Sequence, residues 1–241
     1  MGLRVAALSD VHANAPALAA VLEEVEREAP DLVVFCGDLT WGSLPQETLA
    51  LVRSLEIPAR FVRGNADRAV AEQTESARGQ WMRARHAPAD LAFLASFEPT
   101  VLLDVEGLGP TCFCHGSPRS DEECVTERTP PARVRELMAG VDARVVVTGH
   151  VHVSHDVVVD GVRLVAPGSV GVPYEDPPGL ARWALFGPDV ELRRTPYDVD
   201  EAVALMRATD DPRAEVIAGL LLRPPSRDDV IADAEERVFA G

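Results

Sequence analysis

The chain has 241 residues, 46% hydrophobic and 5% aromatic, and its 39 acidic against 23 basic side chains give a formal net charge of -16. That length supports one sizeable core and the composition is that of an ordinary globular protein, while the charge, with no cluster of Lys and Arg to interrupt it, excludes a nucleic-acid duplex as partner. An anionic substrate would need a local source of positive charge.

The N-terminal MGLRVAALSDV holds an apolar run too short for a signal-peptide core, and no stretch approaches a membrane span. The expectation is a cytoplasmic chain with no membrane partner. Cys36, Cys112, Cys114 and Cys124 follow no structural-zinc spacing and read as small buried thiols in a reducing compartment.

In chain order, the Val-rich runs Leu3 to Leu8, Leu32 to Phe35 and Arg60 to Val62 read as buried strands that end in loops. Between the first two, Leu18, Val21, Leu22 and Val25 share one face of a helix over Ala15 to Glu28, with Pro16 near its start. Between the second and third, Ser43 and Gln46 have capping-box spacing ahead of Leu49, Val52 and Leu55. Alternation of strand and helix implies a parallel sheet.

Residues 68 to 98 read as helical, Pro88 opening their last segment, and two strands follow at Val101 to Val105 and Thr111 to Cys114. Gly116 to Pro131 is long for a plain connection and reads as a loop over a site, with Arg119 and Arg128 available to a phosphate. After the strand Val145 to Val147 the pattern turns antiparallel, with Asp160-Gly161 a type I′ turn signal and a second hairpin around Gly187-Pro188-Asp189. From Val199 the chain reads as a helical tail broken at Pro212 and Pro224-Pro225, to which no chemistry is assigned. The fold class is mixed α/β.

Polar residues recur just after the strands: Asp10 and His12, Asp38, Asn65, His115, then His150 and His152. Open α/β sheets bind ligands outside the carboxyl ends of their strands, so these five loops are expected to converge. Carboxylate, amide and imidazole donors together suit divalent first-row metals. Asp10-x-His12 and His150-x-His152 are i, i+2 pairs that in extended backbone point the same way and can grip one ion. His86 and His155 fall outside this set and read as surface residues.

The order D-x-H, G-D, G-N, H, G-H-x-H resembles the signature of the calcineurin-like metallophosphoesterases, and the resemblance runs from Val5 to about Asp198. SDVHAN, GDLTWGSLPQETL, RGNADR, CHGSPR, PGSVGVP and PYDVD resemble the small bacterial and archaeal phosphodiesterase branch. The resemblance implies a four-layer α-β-β-α sandwich of two mixed sheets over residues 1–198, with 199–241 a helical tail packed on the same domain. It also implies hydrolysis of a small phosphodiester or phosphomonoester by a hydroxide that two divalent metals activate, the metals being drawn from manganese, iron, zinc, nickel and cobalt.

By that resemblance Asp38 bridges the metals, Asp10, His12 and His152 complete one site, and Asn65, His115 and His150 the other, with Asp38, Asn65 and His115 as the catalytic set. The neutral Asn65 amide then has a charge rationale: two divalent ions less two carboxylates leave about +2 in the pocket, which a third carboxylate would halve. Asn14 would contact substrate, or cap the helix at Ala15. Arg119 is the other candidate for substrate binding. PGSVG would form a turn near the metals.

Where many relatives carry a His after the Asn, this chain has Ala66, so substrates with weakly basic leaving oxygens should react best. Asp67 would replace that acid, or orient Arg68 or cap a helix. Two alternatives stand beside the esterase: a dinucleoside polyphosphate or nucleotide pyrophosphate hydrolase, and a non-catalytic scaffold such as the phosphoesterase-like retromer subunit. No pattern encodes oligomeric state.

Overall fold

A computed structural model of the chain describes residues 2–72 and 76–238. Three strands, β1 (Val5–Leu8), β2 (Leu32–Cys36) and β3 (Ala59–Val62), run parallel, linked by α1 (Ala15–Glu28) and α2 (Pro45–Ser54), as the strand-helix alternation requires. The hairpin of β9 (Leu180–Phe186) and β10 (Val190–Pro196) adds antiparallel to β1, giving the order β10-β9-β1-β2-β3.

A second sheet has the order β4-β5-β6-β8-β7, from β4 (Val101–Val105), β5 (Gly109–Phe113), β6 (Val145–Val147), β7 (His155–Val159) and β8 (Val162–Ala166). Here β5, β6 and β8 are parallel neighbours and the edges antiparallel. Asp160 and Gly161 both take positive φ, 51° and 82°, at the β7–β8 turn, as a type I′ turn demands.

The side-chain period of two decides the layering. Val5, Ala7, Val34 and Cys36 point into a core shared with Val101, Phe113, Val145, Val147 and Val165 of the other sheet, where Phe113 meets Phe186 edge to face at 5.6 Å. The alternate residues Ala6, Leu8, Val33 and Phe35 face Leu18, Val21 and Val25 of α1. On the far side Cys112, Cys114 and Val146 face Val134 and Leu137 of α6 (Pro131–Leu137). The result is the four-layer α-β-β-α sandwich. All four cysteines are buried thiols.

Residues 68–98 break into α3 (Asn65–Ala71), α4 (Ala77–Arg83) and α5 (Pro88–Ala95). The capping box at Ser43 does not form. Pro45 opens α2, Leu44 is its N-cap, Ser43 donates instead to Asp211, and Gln46 donates to the Arg85 carbonyl. With Leu44 at the cap, Ser43 lies one residue outside the helix and its hydroxyl is available to the tail.

That tail forms α7 (Val199–Arg207), α8 (Ala214–Leu222) and α9 (Arg227–Val238). Val203, Met206, Ala218 and Leu221 pack on Ala15, Leu44 and Val172, while Ile231 and Ala234 pack on Cys124, Val151 and Val153. Among the described residues no helix is long and apolar enough to cross a membrane.

Candidate metal centre

Register brings the ligand loops to one edge. Leu8 lies opposite Phe35, Cys36 opposite Val62 and Phe113 opposite Val147, so the residues that follow β1, β2, β3, β5 and β6 emerge side by side. Asp10, His12 and His152 present ligand atoms within 4.8 Å of one another, and so do Asp38, His115 and His150. Asn65 joins the second group, its Oδ1 lying 3.1 Å from His115 Nε2. Asp38 reaches both, with Oδ2 3.6 Å from His12 Nε2 and Oδ1 3.5 Å from His115 Nε2.

The i, i+2 pairs do not work as an extended backbone would have them. Asp10, His12, Asp38, His150 and His152 all have positive φ, between 47° and 68°. Left-handed backbone at a non-glycine residue costs on the order of 1–3 kcal/mol each and persists where the surroundings over-determine it. The turn at His150 also separates its pair, sending His152 to the Asp10 group and His150 to the Asp38 group.

Backbone contacts hold these loops. The Asp67 carboxylate accepts the N–H groups of Asp38, Leu39 and Gly64 at 2.8, 2.9 and 3.0 Å, and Ala66 N–H donates to Asp38 Oδ1 at 2.9 Å. Of the roles weighed for Asp67, capping is the one the structure shows, extended to the Asp38 loop. Burial and the Asp38 charge push Asp67 up to about 7, against the N–H donors that favour its ionised form. A Cβ at Gly64 would stand 2.1 Å from Asp38 Oδ1, and one at Gly149 would stand 2.0 Å from Ser9 Oγ, so side chains are barred from both positions. The PGSVG turn clamps the first loop: Ser169 donates to the Asp10 carbonyl at 2.7 Å, and Gly171 N–H to the same oxygen at 3.0 Å.

The chemistry of the donors asks for a cation. His12, His152 and His115 place Nδ1 at 3.1, 2.7 and 2.8 Å from the carbonyls of Trp41, Val172 and Cys36. A carbonyl only accepts, so each Nδ1 carries a proton, which leaves each Nε2 as the ring nitrogen turned to the site. The Nε2 atoms of His12 and His152 nevertheless face each other at 3.0 Å, and buried Asp10 Oδ1, 3.2 Å from His152 Nε2, has no hydrogen-bond partner. Ring nitrogens and a carboxylate so arranged are satisfied by a proton or a metal ion. Burial opposes charge on His115, but the Asp38 carboxylate outweighs it and raises the imidazole to about 10. Burial is likewise outweighed at Asp10, which His152 and His12 hold well below the usual carboxylate range. The residues fit two divalent cations with mixed nitrogen and oxygen ligands.

The calcineurin-like phosphoesterase superfamily domain matches residues 3–185. The chain belongs to that superfamily. Among solved structures, a metallophosphoesterase from Sphaerobacter thermophilus superposes with a TM-score of 0.72 at 26% identity, over 90% of this chain and 98% of that one. A hypothetical protein from Pyrococcus horikoshii OT3 shares the fold, with a TM-score of 0.72 at 20% identity over 92% and 99% of the two chains. No curated protein matches the chain.

Several residues lie elsewhere than a sequence of this phosphoesterase type suggests. Asn14 is fully buried, accepts Ala17 N–H at 3.3 Å as the cap of α1, and donates to the Gly171 carbonyl at 2.7 Å, the capping role of the two weighed for it. Arg119 borders a cleft of about 50 Å³ with His115, but its guanidinium is bound to Glu123 and Glu136 at 2.7 and 3.0 Å. The segment from Gly116 is no free lid: Glu127 pairs with Arg227, Arg128 with Asp228, and Thr126 and Thr129 with Glu235, which clips it to α9. His86 and His155 are buried rather than surface residues, His86 bonding Thr40 and the Met82 carbonyl.

The tail, given no chemistry by the sequence, borders the site. One cavity of about 220 Å³ beside His12 and His152 is lined by Ile217 and Leu220 of α8, and one of about 400 Å³ beside His150 and His152 by Val230 and Asp233 of α9. Tyr174 stands in both and stacks on His152 at 4.8 Å. The available signal was α8 itself, AEVIAGLLL, too apolar all round for a surface helix.

Proposed function

We propose that the chain is a phosphoesterase that hydrolyses small phosphodiesters or phosphomonoesters at a dinuclear metal centre. The observation that carries this reading is the His12–His152 contact, two imidazole Nε2 atoms 3.0 Å apart beside an unpartnered buried Asp10 oxygen, with a second donor set joined to the first through Asp38. Asp10, His12 and His152 would hold one ion, Asn65, His115 and His150 the other, and Asp38 both. Such ions supply Lewis acidity and a water acidic enough to attack phosphorus near neutral pH.

The protein's own groups do the rest. Carbonyls at Trp41, Cys36 and Val172 fix the imidazole tautomers, so the ligand nitrogens need no reorganisation. Asn65 coordinates without adding negative charge, which preserves an anion seat in a molecule of net charge -16. Ala66 is 6% exposed and directs its N–H at Asp38, and no acid stands there to protonate a leaving group. Aryl and nucleotide leaving oxygens, already weak bases, therefore suit the site. Cavities of about 220 and 400 Å³ lined in part by α8 and α9 suit a small molecule.

The test is reconstitution of chelator-treated protein with manganese, iron, cobalt, nickel or zinc, counting ions bound. Each form is then assayed on an aryl phosphodiester, an aryl phosphomonoester and a dinucleoside tetraphosphate. Two ions per chain with turnover of an ester is the expected result. Preference for the tetraphosphate would make the protein an anhydride hydrolase, and two bound ions with no turnover of any substrate would make it a scaffold.

A further inference from the structure

The cavity beside His12 and His152 has a mixed lining. Trp41, Tyr174, Ile217 and Leu220 are apolar, while Arg78 and Arg213 bring cations. At about 220 Å³ it falls below the roughly 300 Å³ at which pockets for drug-sized ligands begin, so it suits a compact group rather than a nucleobase.

The two arginines differ in their partners. Arg78 donates to Asp211 at 2.6 Å, and its guanidinium lies 5.6 Å from the Trp41 ring centre. Arg213 makes no ion pair among the described residues, and the carboxylates around it are taken. Asp211 binds Arg78 and Ser43, Asp210 binds Arg85, and Glu215 binds Arg207. In a chain of net charge -16, a guanidinium with no ion-pair partner among the described residues, lining the same cavity as His12 and His152, is positioned to meet an anion. It belongs to the tail, beyond residues 3–185 that match the superfamily domain.

We propose that Arg213 and this cavity form a subsite for a second anionic group on the substrate, a short linker away from the phosphate that reacts. The substrate class is then a small phosphate ester with two anionic heads, the second a phosphate or a carboxylate. The planar guanidinium binds either in a two-pronged fashion, and Trp41 and Ile217 line the same cavity to receive a short apolar linker. This inference rests on the two-metal phosphoesterase reading above.

Calorimetry on the metal-reconstituted protein tests it without turnover, using three phosphonates that cannot be hydrolysed. Methylphosphonate carries one head, phosphonoacetate adds a carboxylate, and 1,2-ethylenediphosphonate adds a second phosphonate. At least one two-headed probe should bind about tenfold or more tightly than methylphosphonate, the worth of one charge-assisted contact, and the tighter of the two names the second group. Arg213→Gln should abolish that advantage while leaving methylphosphonate within about twofold, and Arg213→Lys should keep part of it. Equal binding of one-headed and two-headed probes, or a variant that weakens all three alike, overturns the subsite and leaves the metal centre standing. Failure of methylphosphonate itself to bind brings down both.

Discussion

Asp67 holds Asp38 through the backbone: its Oδ2 accepts the Asp38 N–H at 2.8 Å, and its Oδ1 accepts the next one, from Leu39, at 2.9 Å. With the third bond, from Gly64, one carboxylate ties the loop after β2 to the loop after β3. Asp67→Ala leaves three buried donors unpaired, each costing roughly 1–3 kcal/mol. The expected outcome is a loss of at least about 3 kcal/mol in urea denaturation and 10–100-fold weaker metal binding by titration. Unchanged metal affinity would show that the Asp38 loop holds itself.

Asn65→Asp keeps a ligand oxygen at the same place but lowers the formal charge of a dinuclear site from about +2 to about +1. Metal should still bind. Phosphate, as a product inhibitor, should bind at least about tenfold more weakly, since one unit charge at contact range in a partly buried site is worth more than the 1.4 kcal/mol that factor represents. Equal inhibition constants in the two forms would overturn the charge argument.

Asn14→Ala separates a cap from a substrate contact. The side chain joins Ala17, Gly171 and, at 3.4 Å, the Tyr197 hydroxyl. Its removal should cost roughly 1–3 kcal/mol of stability with KM within about twofold of the parent. A KM rise with stability unchanged would return Asn14 to the substrate.

His155 predicts a pH effect away from the centre. Burial lowers this imidazole to about 4, Glu127 and Asp156 opposing and Arg227 assisting, and its Nε2 has no hydrogen-bond partner. The unfolded chain takes up a proton near pH 6.5 that the folded state refuses, so the contribution is full above 6.5 and is lost as pH falls towards 4. A shift of that size corresponds to roughly 3 kcal/mol. His155→Gln should remove about that much of the stability difference between pH 7.5 and 4.5, measured by urea denaturation of metal-free protein. Identical pH slopes would mean that the folded His155 titrates normally.

What could be read from the chain alone was local. Leu18, Val21 and Val25 announced α1 by their period, the valine runs announced β1, β2 and β6, and Asp160-Gly161 announced its turn, because each signal lies within one element. The polar residues after the strands were legible for the same reason, since an apolar run that stops at Asp10, Asp38 or His115 marks its own end. Position near a strand end, however, sets no distances. That His150 and His152 serve different groups follows from left-handed backbone imposed by contacts such as His150 N–H to Asp10 Oδ2 at 3.0 Å, across 140 residues.

The same holds for Ser43, drawn from its helix to Asp211, for Asn14, whose cap also reaches Gly171 across the fold, and for the tail, whose α8 packs where Leu221 and Ala218 find Val172 and Leu44. Composition and periodicity determine which segments must be buried and which side chains can bind a cation. Only the packing of two sheets face to face, with their loops at a common rim, decides which of those side chains meet, because their approach is set by register and long-range hydrogen bonds that no short stretch of sequence contains.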